Sequence, residues 1–285
     1  MYNIIVKNIT EGVMKDKISL AGDLGSGKST VSKILIDTLG AEYYSTGAIV
    51  RAVAERRGMT VVELNEYMET HPELDHEIDS GIAALSDDPR ALIIDSRMAW
   101  HFTKGTFKVY LSTDIETSAI RIMGANRTGE HALTLEETVA DTRARRASER
   151  KRYLEQYGVD IKDLTNYDLI VDTTVATPEE VALCIESAFA EWQRDKSYKM
   201  AYVSTERIAF PDRPTDEELM SRYALAAELG EPIPLPTLTE RDGDFYLVDG
   251  LEAAMSQVFD MKPFIAAKLV KAEPVGEFVK MKNSL

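Results

Sequence analysis

The 285-residue chain holds one cysteine, four histidines and no long uninterrupted apolar run. A single cysteine, Cys184, excludes an intramolecular disulfide and fits a reducing compartment; its helix-like surroundings make it a packing residue. His71 and His76 stand five apart, which misses the i, i+4 spacing that puts two ligands on one helix face. His101 and His131 have no partner at metal-binding spacing, so all four histidines are expected to be structural or at the surface. No apolar segment reaches the length that crosses a bilayer. The opening Met1-Tyr2-Asn3-Ile4-Ile5 lacks a basic stretch ahead of an apolar one, so no signal peptide, no membrane association and a cytoplasmic protein are expected. Positive charge is also short: 33 Lys and Arg against 48 Asp and Glu leave a formal charge of −15. That balance argues against a broad nucleic-acid surface, because phosphate repulsion would go uncompensated. Internal repeats and low-complexity tracts are absent.

What is present is a globular composition, 44% hydrophobic, in a chain long enough for two domains. Lys17-Ile18-Ser19-Leu20-Ala21 reads as a short buried strand, followed by a glycine-rich turn and a helical period from Lys28 to about Leu39. Ala91-Leu92-Ile93-Ile94-Asp95, Phe107-Lys108-Val109-Tyr110-Leu111 and Asp168-Leu169-Ile170-Val171-Asp172 are continuous apolar runs, two of them ending in a carboxylate. Parallel strands covered on both faces have this texture. Helical segments separate them, and Pro178 opens a last helix that ends near Gln193. The alternation predicts a three-layer α/β fold, a parallel sheet with helices on both faces, over residues 1–195. After about Asp195 the pieces become short and strand-like around one helix, about Asp216 to Leu229. Asp242-Gly243 between two strand-like runs signals a hairpin. Residues 196–285 are therefore expected to form a small α+β domain.

Gly22-Asp23-Leu24-Gly25-Ser26-Gly27-Lys28-Ser29 matches G-x-x-x-x-G-K-[ST] between a predicted strand and a predicted helix, the context this motif requires. Glycines at 22, 25 and 27 let backbone N–H groups turn inward around a β-phosphate, with Ser26 and Thr30 completing the loop and the first helical turn. Lys28 supplies a mobile cation to the β- and γ-oxygens, and Ser29 offers a hydroxyl to Mg²⁺. The helix that starts there adds its positive dipole end. ATP and Mg²⁺ are the expected cofactors.

From Ile18 to Ala190 the chain resembles the cytidylate kinase family, in its short-lid form. The resemblance runs in order through the P-loop, Tyr44-Ser45-Thr46-Gly47 with Arg51, Arg57-Gly58-Met59-Thr60, His71-Pro72-Glu73-Leu74-Asp75, and Asp95-Ser96-Arg97-Met98. It continues through Ser148-Glu149-Arg150-Lys151-Arg152-Tyr153, Tyr157-Gly158-Val159-Asp160 and Tyr167-Asp168-Leu169. It implies a P-loop nucleoside monophosphate kinase whose acceptor is CMP or dCMP. It further implies that Arg97 grips the acceptor's α-phosphate with Arg51 assisting, and that Arg127 is the lid arginine over ATP. Arg145, Glu149 and Arg152, at i, i+4 and i+7 on one helical face, would meet phosphates and sugar, although longer-lid relatives have Asp at the position of Glu149. An arginine suits such sites because its planar fork meets two phosphate oxygens at once.

Asp95, at the end of its strand, has two readings: a carboxylate that orients water on Mg²⁺, or a helix cap or partner for Arg97. Ser45 and Thr46 likewise either touch the base edge or cap the following helix. Met98 stands where longer relatives carry an aspartate that helps read cytosine, so nothing visible excludes UMP. Residues Ala201 to Val270 faintly resemble the ParB/sulfiredoxin-like fold, but Asp249-Gly250-Leu251-Glu252-Ala253 lacks the basic and imidazole groups of that family's signature. A non-catalytic binding or dimerisation module, with a homodimer as one outcome, is the expectation. The alternatives to a CMP kinase are a kinase of another nucleotide or small metabolite, and an ATP-dependent module that switches the C-terminal segment.

Overall fold

The computed structural model of the protein describes residues 16–124, 134–258 and 264–280. In chain order the elements begin with β1 (Lys17–Gly22), α1 (Lys28–Leu39), β2 (Glu42–Ser45), α2 (Thr46–Arg57), α3 (Val61–Thr70) and α4 (Pro72–Ala84). There follow β3 (Leu92–Asp95), the single turn α5 (Ala99–Phe102), β4 (Thr106–Ser112), α6 (Ile115–Gly124), α7 (Leu135–Tyr157), β5 (Leu169–Asp172) and α8 (Pro178–Arg194). The remainder comprises β6 (Met200–Val203), β7 (Ile208–Pro211), α9 (Glu217–Glu228), β8 (Thr237–Arg241), β9 (Asp244–Asp249), α10 (Leu251–Val258), β10 (Ile265–Leu269) and β11 (Phe278–Lys280).

Local sequence explains most boundaries. Capping boxes open α3, α7 and α8, with Thr60, Thr134 and Thr177 exchanging bonds with Glu63, Glu137 and Glu180; each satisfies two otherwise orphaned N–H groups. Pro178 occupies the first turn of α8, where its missing N–H costs nothing. At the other ends, Gly40, Gly58 and Gly158 close α1, α2 and α7 in left-handed conformation.

The first five strands form a parallel array in the order β2-β3-β1-β4-β5. Its carboxyl ends therefore bring together the P-loop after β1, Asp95 after β3, the start of α6 after β4, and Asp172 after β5. That edge is where ligands bind in open α/β sheets. One face of the array packs against α1 and α8 through Ile18, Leu20, Val31, Leu35, Ile185 and Phe189.

The change of texture near residue 195 coincides with the end of α8, but the sheet does not stop there. β6 pairs in parallel with β5, β10 runs antiparallel to β6, and β8, β9, β7 and β11 follow in turn to make one eleven-stranded sheet. A single apolar cluster joins Tyr110, Tyr167 and Ile170 from before residue 195 to Val203, Phe245 and Ile265 from after it. The reason is geometric: β5 is a central-type apolar strand, and without β6 its edge and one of its faces would be bare. The Asp242-Gly243 hairpin forms between β8 and β9 as its turn residues predict, both with positive φ, 54° and 92°. Among the described residues no helix is long and apolar enough to cross a membrane.

Candidate active site

The P-loop is held from three sides. Asp23 N–H donates to Leu111 O at 2.9 Å, and Ser118 of α6 donates its hydroxyl to Leu24 O. Gly25, at φ 73°, lies so close to α6 that a Cβ there would sit 2.6 Å from Ser118 O; only glycine fits. At Gly22 a Cβ would sit 2.5 Å from Leu111 O. The loop is thus tied to β4 and α6 before any ligand arrives. Gly27 caps α1 with φ 81°, and the first turn of α1 carries no acidic side chain, so the positive helix end faces the loop unopposed. Ser26 is buried and its hydroxyl has no partner among the described residues. An orphaned hydroxyl beside a row of inward N–H groups fits a phosphate oxygen.

Lys28 folds back over this loop, its Nζ donating to Gly22 O and Asp23 O at 3.1 Å each. Burial, and then the nearby Arg97 guanidinium, push its ammonium down to about 7, against the pull of Asp95, Glu149 and Asp23. Arg97 leaves the end of β3, donates through Nη1 to Gly22 O, and meets Glu149 Oε2 with Nε at 2.9 Å. The carboxylate paired with Arg97 is therefore Glu149, and Asp95 is not its hydrogen-bond partner. Although burial disfavours its charge, Glu149 is held below the usual carboxylate range by Arg97, Lys28 and Arg145.

Asp95 lies beside Leu20 of β1 and Ser45 of β2 in register, and its Oδ2 accepts from Tyr43 OH at 2.8 Å. Tyr43 is pushed up to about 12 by burial and by Asp95. The capping alternative holds for Ser45, whose Oγ accepts from Ala48 N–H at 3.3 Å. Thr46 donates to Asp95 O at 3.3 Å. Ser29 and Thr30 are exposed at the mouth of the loop. Arg51 is exposed on α2 with no hydrogen bond or ion pair to a described residue. Arg127 lies outside the described residues.

On α7 the half-buried stripe contains Arg145, Arg146, Glu149, Arg152 and Tyr153, while Arg143 and Arg150 are exposed; Arg150 pairs instead with Asp160 at 2.7 Å. Arg145, Glu149 and Arg152 are all half-buried, as the predicted shared face requires; Glu149 meets Arg97 beside the P-loop, and Arg152 lies over Tyr153. Arg146 reaches the P-loop as well: its Nη2 donates to Leu24 O at 3.3 Å and its Nε is 3.9 Å from Asp23. The spacing signal existed, since Arg146 stands three residues before Glu149 and seven before Tyr153 on α7.

Sequence reasoning also missed the surroundings of Asp23. This carboxylate is buried, accepts from Tyr110 OH at 2.8 Å, Lys162 Nζ at 2.6 Å and Thr113 N–H at 3.1 Å. Burial opposes its charge, but Lys162 and Arg146 outweigh that and hold it far below the usual range. A second missed group is Arg121 of α6, which donates to Thr173 O at 2.7 Å and Thr174 O at 3.3 Å, gripping the turn after β5.

Residues 17–175 match the cytidylate kinase-like family. The chain belongs to that family. Over 186 residues it is 36% identical to a cytidylate kinase of Thermoplasma volcanium, spanning 64% of this chain and 95% of that protein. A cytidylate kinase of Pyrococcus furiosus is 36% identical over 172 residues, 60% of this chain and 86% of the relative. The S-adenosylmethionine-dependent nucleotide dehydratase of Lacinutrix mariniflava is 39% identical over 173 residues, which are 59% of this chain and 35% of that larger protein. This member of the family is a P-loop phosphotransferase, a kinase that binds nucleotides.

Proposed function

We propose that the protein transfers the γ-phosphoryl group of ATP to CMP or dCMP. The observation that carries this reading is the convergence of Lys28, Arg97 and Glu149 at the carboxyl end of the sheet, with Arg97 bridging the P-loop and α7. A nucleotide switch needs one phosphate site; here a second set of cations, Arg97, Arg145 and Arg152, stands beside the first. Bringing two polyanions together demands fixed positive charge and exclusion of water.

In this reading the backbone of Gly22 to Ser29 and the hydroxyls of Ser26 and Thr30 hold the donor's phosphates, and Lys28 unfolds from Gly22 O to meet the β- and γ-oxygens. Arg97 exchanges its Gly22 carbonyl for the acceptor's α-phosphate, with Arg51 swinging in from α2. Arg127 and Arg145 add charge around the transferring group, and Glu149 and Arg152 contact the acceptor's sugar side. The acceptor phosphate is already an oxyanion, so no general base is required. Ser29 and Asp95 would hold Mg²⁺, which supplies charge neutralisation between the β- and γ-phosphates when bound. No cluster of three or more His, Cys, Asp or Glu that could hold a metal exists among the described residues, which fits an ion held chiefly through the nucleotide. Residues 196–285 act as a non-catalytic extension. Release of ADP from Mg-ATP, measured with CMP, dCMP, UMP, AMP and GMP in turn, tests the proposal. CMP or dCMP should give the highest kcat/KM; preference for a purine nucleotide, or no turnover with any, would overturn it.

A further inference from the structure

Asp23 is the second residue of the P-loop, yet its side chain is turned into the protein, where only 4% of it is exposed. Its two oxygens are divided. Oδ2 accepts from Thr113 N–H, just past β4, at 3.1 Å. Oδ1 accepts from Tyr110 OH of β4 at 2.8 Å and from Lys162 Nζ at 2.6 Å. The main chain is held by the same strand, with Asp23 N–H on Leu111 O, and the Asp23 carbonyl is one of the two on which Lys28 rests. One residue thus ties the backbone of the loop both to β4 and to Lys162.

A carboxylate so far from water stays charged only with a cation in bonding contact. Two cations are near enough to serve. The Nε of Arg146 is 3.9 Å from Oδ1, beyond hydrogen-bond range, and its Nη2 is engaged on Leu24 O. Lys162 makes the bond. It stands in the turn between α7 and β5, where its N–H donates to Asp160 Oδ1 at 3.0 Å and Asp160 is itself clamped by Arg150. Its ammonium also donates to Tyr110 OH at 2.8 Å. Lys162, Asp23 and Arg146 line one small cavity with Arg97 and Glu149, so the pair lies directly behind the groups assigned to phosphoryl transfer. Lys162 also acts on half-buried Glu240 of β8, whose cross-strand partner Phe245 belongs to the shared apolar cluster. Burial pushes the Glu240 carboxyl up, and the Gly243 N–H and then Lys162 pull against it.

We infer that Lys162 is a positioning residue for phosphoryl transfer: acting through Asp23, it holds the P-loop backbone in the shape that receives the donor's phosphates. Without its ammonium the Asp23 carboxylate must either take up a proton, which turns one acceptor oxygen into a donor, or move toward Arg146. Either change loosens the loop from Thr113 or Tyr110 and shifts the N–H groups that surround a phosphate. A displacement on the order of 1 Å at such a site costs about a hundredfold in rate. Asp23→Asn is milder, because Lys162 then keeps Glu240 as a counter-charge. An amide nonetheless has one acceptor oxygen in place of two and cannot serve both sides. This rests on the P-loop being the donor site of the proposed kinase, and it is independent of the acceptor's base.

The experiment measures kcat and KM for Mg-ATP at saturating acceptor, and KM for the acceptor at saturating ATP, using whichever nucleotide wild type prefers. Wild type is compared with Lys162→Met, Asp23→Asn, the double variant and Lys271→Ala. Lys162→Met should lower kcat/KM for ATP at least about thirtyfold, with KM for the acceptor within about threefold of wild type. Asp23→Asn should lower it about tenfold. The double variant should be no worse than Lys162→Met, because both changes act on one contact; losses that multiply overturn the inference. Lys271→Ala removes an exposed ion pair on the neighbouring Asp163 and should leave kcat/KM unchanged. A loss there equal to that of Lys162→Met overturns the inference, since any loosening of the turn would then suffice. So does a folded Lys162→Met enzyme that melts earlier but keeps the wild-type kcat/KM. If Lys162→Met does not fold by circular dichroism, Asp23→Asn decides: a wild-type kcat/KM for ATP in that variant overturns the inference. Preference of wild type for a purine acceptor would sink the CMP reading and leave this comparison intact.

Discussion

Two arginine–carboxylate pairs stand at the same edge of the sheet in opposite conditions. Arg97 and Glu149, in the cleft, keep side-chain exposures of 20% and 28%, and one of Arg97's bonds goes to a P-loop carbonyl that a phosphate can replace. Arg207 and Asp172 are 5% and 0% exposed. Arg207, from the segment after residue 195, donates to Asp172 Oδ1 and Ser112 Oγ at 2.9 Å each and to Gly243 O. Asp172 accepts further from Thr174 N–H and hydroxyl and from Ser204 N–H. The first pair is a holding arrangement whose partners can be exchanged; the second is closed off from solvent, with both Asp172 oxygens and both Arg207 Nη atoms bonded inside the protein and only Arg207 Nε without a partner among the described residues. The same chemistry thus marks a binding site in one place and an anchor in the other, and burial, together with what the bonds are made to, tells them apart.

The largest effect that would break this contrast is removal of the anchor with everything attached to it. Truncation after Arg194 strips β6 from β5, leaves Asp172 without its counter-charge and bares the Tyr110–Tyr167–Ile170 side of the shared cluster. We expect the truncated chain to lose its cooperative denaturant transition. A soluble truncation with kcat within about tenfold of the full chain would show that residues 1–195 stand alone, as interfaces between loosely joined domains allow. Next in size is Arg207→Ala. It leaves Asp172 buried and unpaired and should cost about 3–5 kcal/mol of stability, read from urea unfolding at unchanged m-value. Its effect on the nucleotide panel should be confined to the donor: Asp172 holds the Thr174 turn that Arg121 also grips, so KM for ATP should rise while the acceptor preference stays.

Arg97→Ala is the mirror experiment. Glu149 keeps Lys28 and Arg145 as neighbours, so stability should change by about 1 kcal/mol or less. Turnover of CMP should fall about a hundredfold through lost orientation and charge, with ATP affinity little altered. Collapse of ATP affinity with an unchanged acceptor KM would place Arg97 on the donor side.

The contrast also shows what the sequence could and could not disclose. The P-loop was legible because one short segment carries both the conformational demand, met by glycine, and the chemistry, met by Lys28. The parallel strands were legible because β3 and β5 are apolar on both faces, and Asp95 and Asp172 end them. The face of Arg145, Glu149 and Arg152 followed from helical period alone. Arg207 and Asp172 are 35 residues apart, and no periodicity links them. The sheet's continuation past residue 195 was hidden for the same reason: alternation identifies a strand but not the edge it joins. Asp75 entered only as part of the His71 to Asp75 stretch, and its burial was not legible, because an acidic residue in a charged helix reads as solvated.

The smallest effect tests the cleft side of the comparison through its protons. Lys28 is held down to about 7 by burial and by Arg97, with Asp95, Glu149 and Asp23 opposing. Its folded value lies below that of the unfolded chain. Between about pH 7 and 10.5 the folded protein therefore binds fewer protons, and this group's contribution to stability rises with pH across that window; below pH 7 the full cost of burying the ammonium is present. A polyphosphate at the P-loop reverses the balance, because an ammonium beside phosphate oxygens is stabilised. At pH 8, above the value to which the buried amine is held, binding of ATP should draw a proton onto Lys28. Calorimetry in buffers of different ionisation enthalpy measures that uptake directly. In Lys28→Ala the uptake should vanish, and kcat should fall about a thousandfold as the positioned cation is lost, while stability near pH 7 holds or improves because no ammonium is buried. Arg207→Ala should keep the wild-type uptake, since its guanidinium belongs to the anchor. Equal proton uptake by wild type and Lys28→Ala would mean that Lys28 is already charged before the nucleotide arrives, and that the cleft, like the anchor, stands with its charges settled in advance.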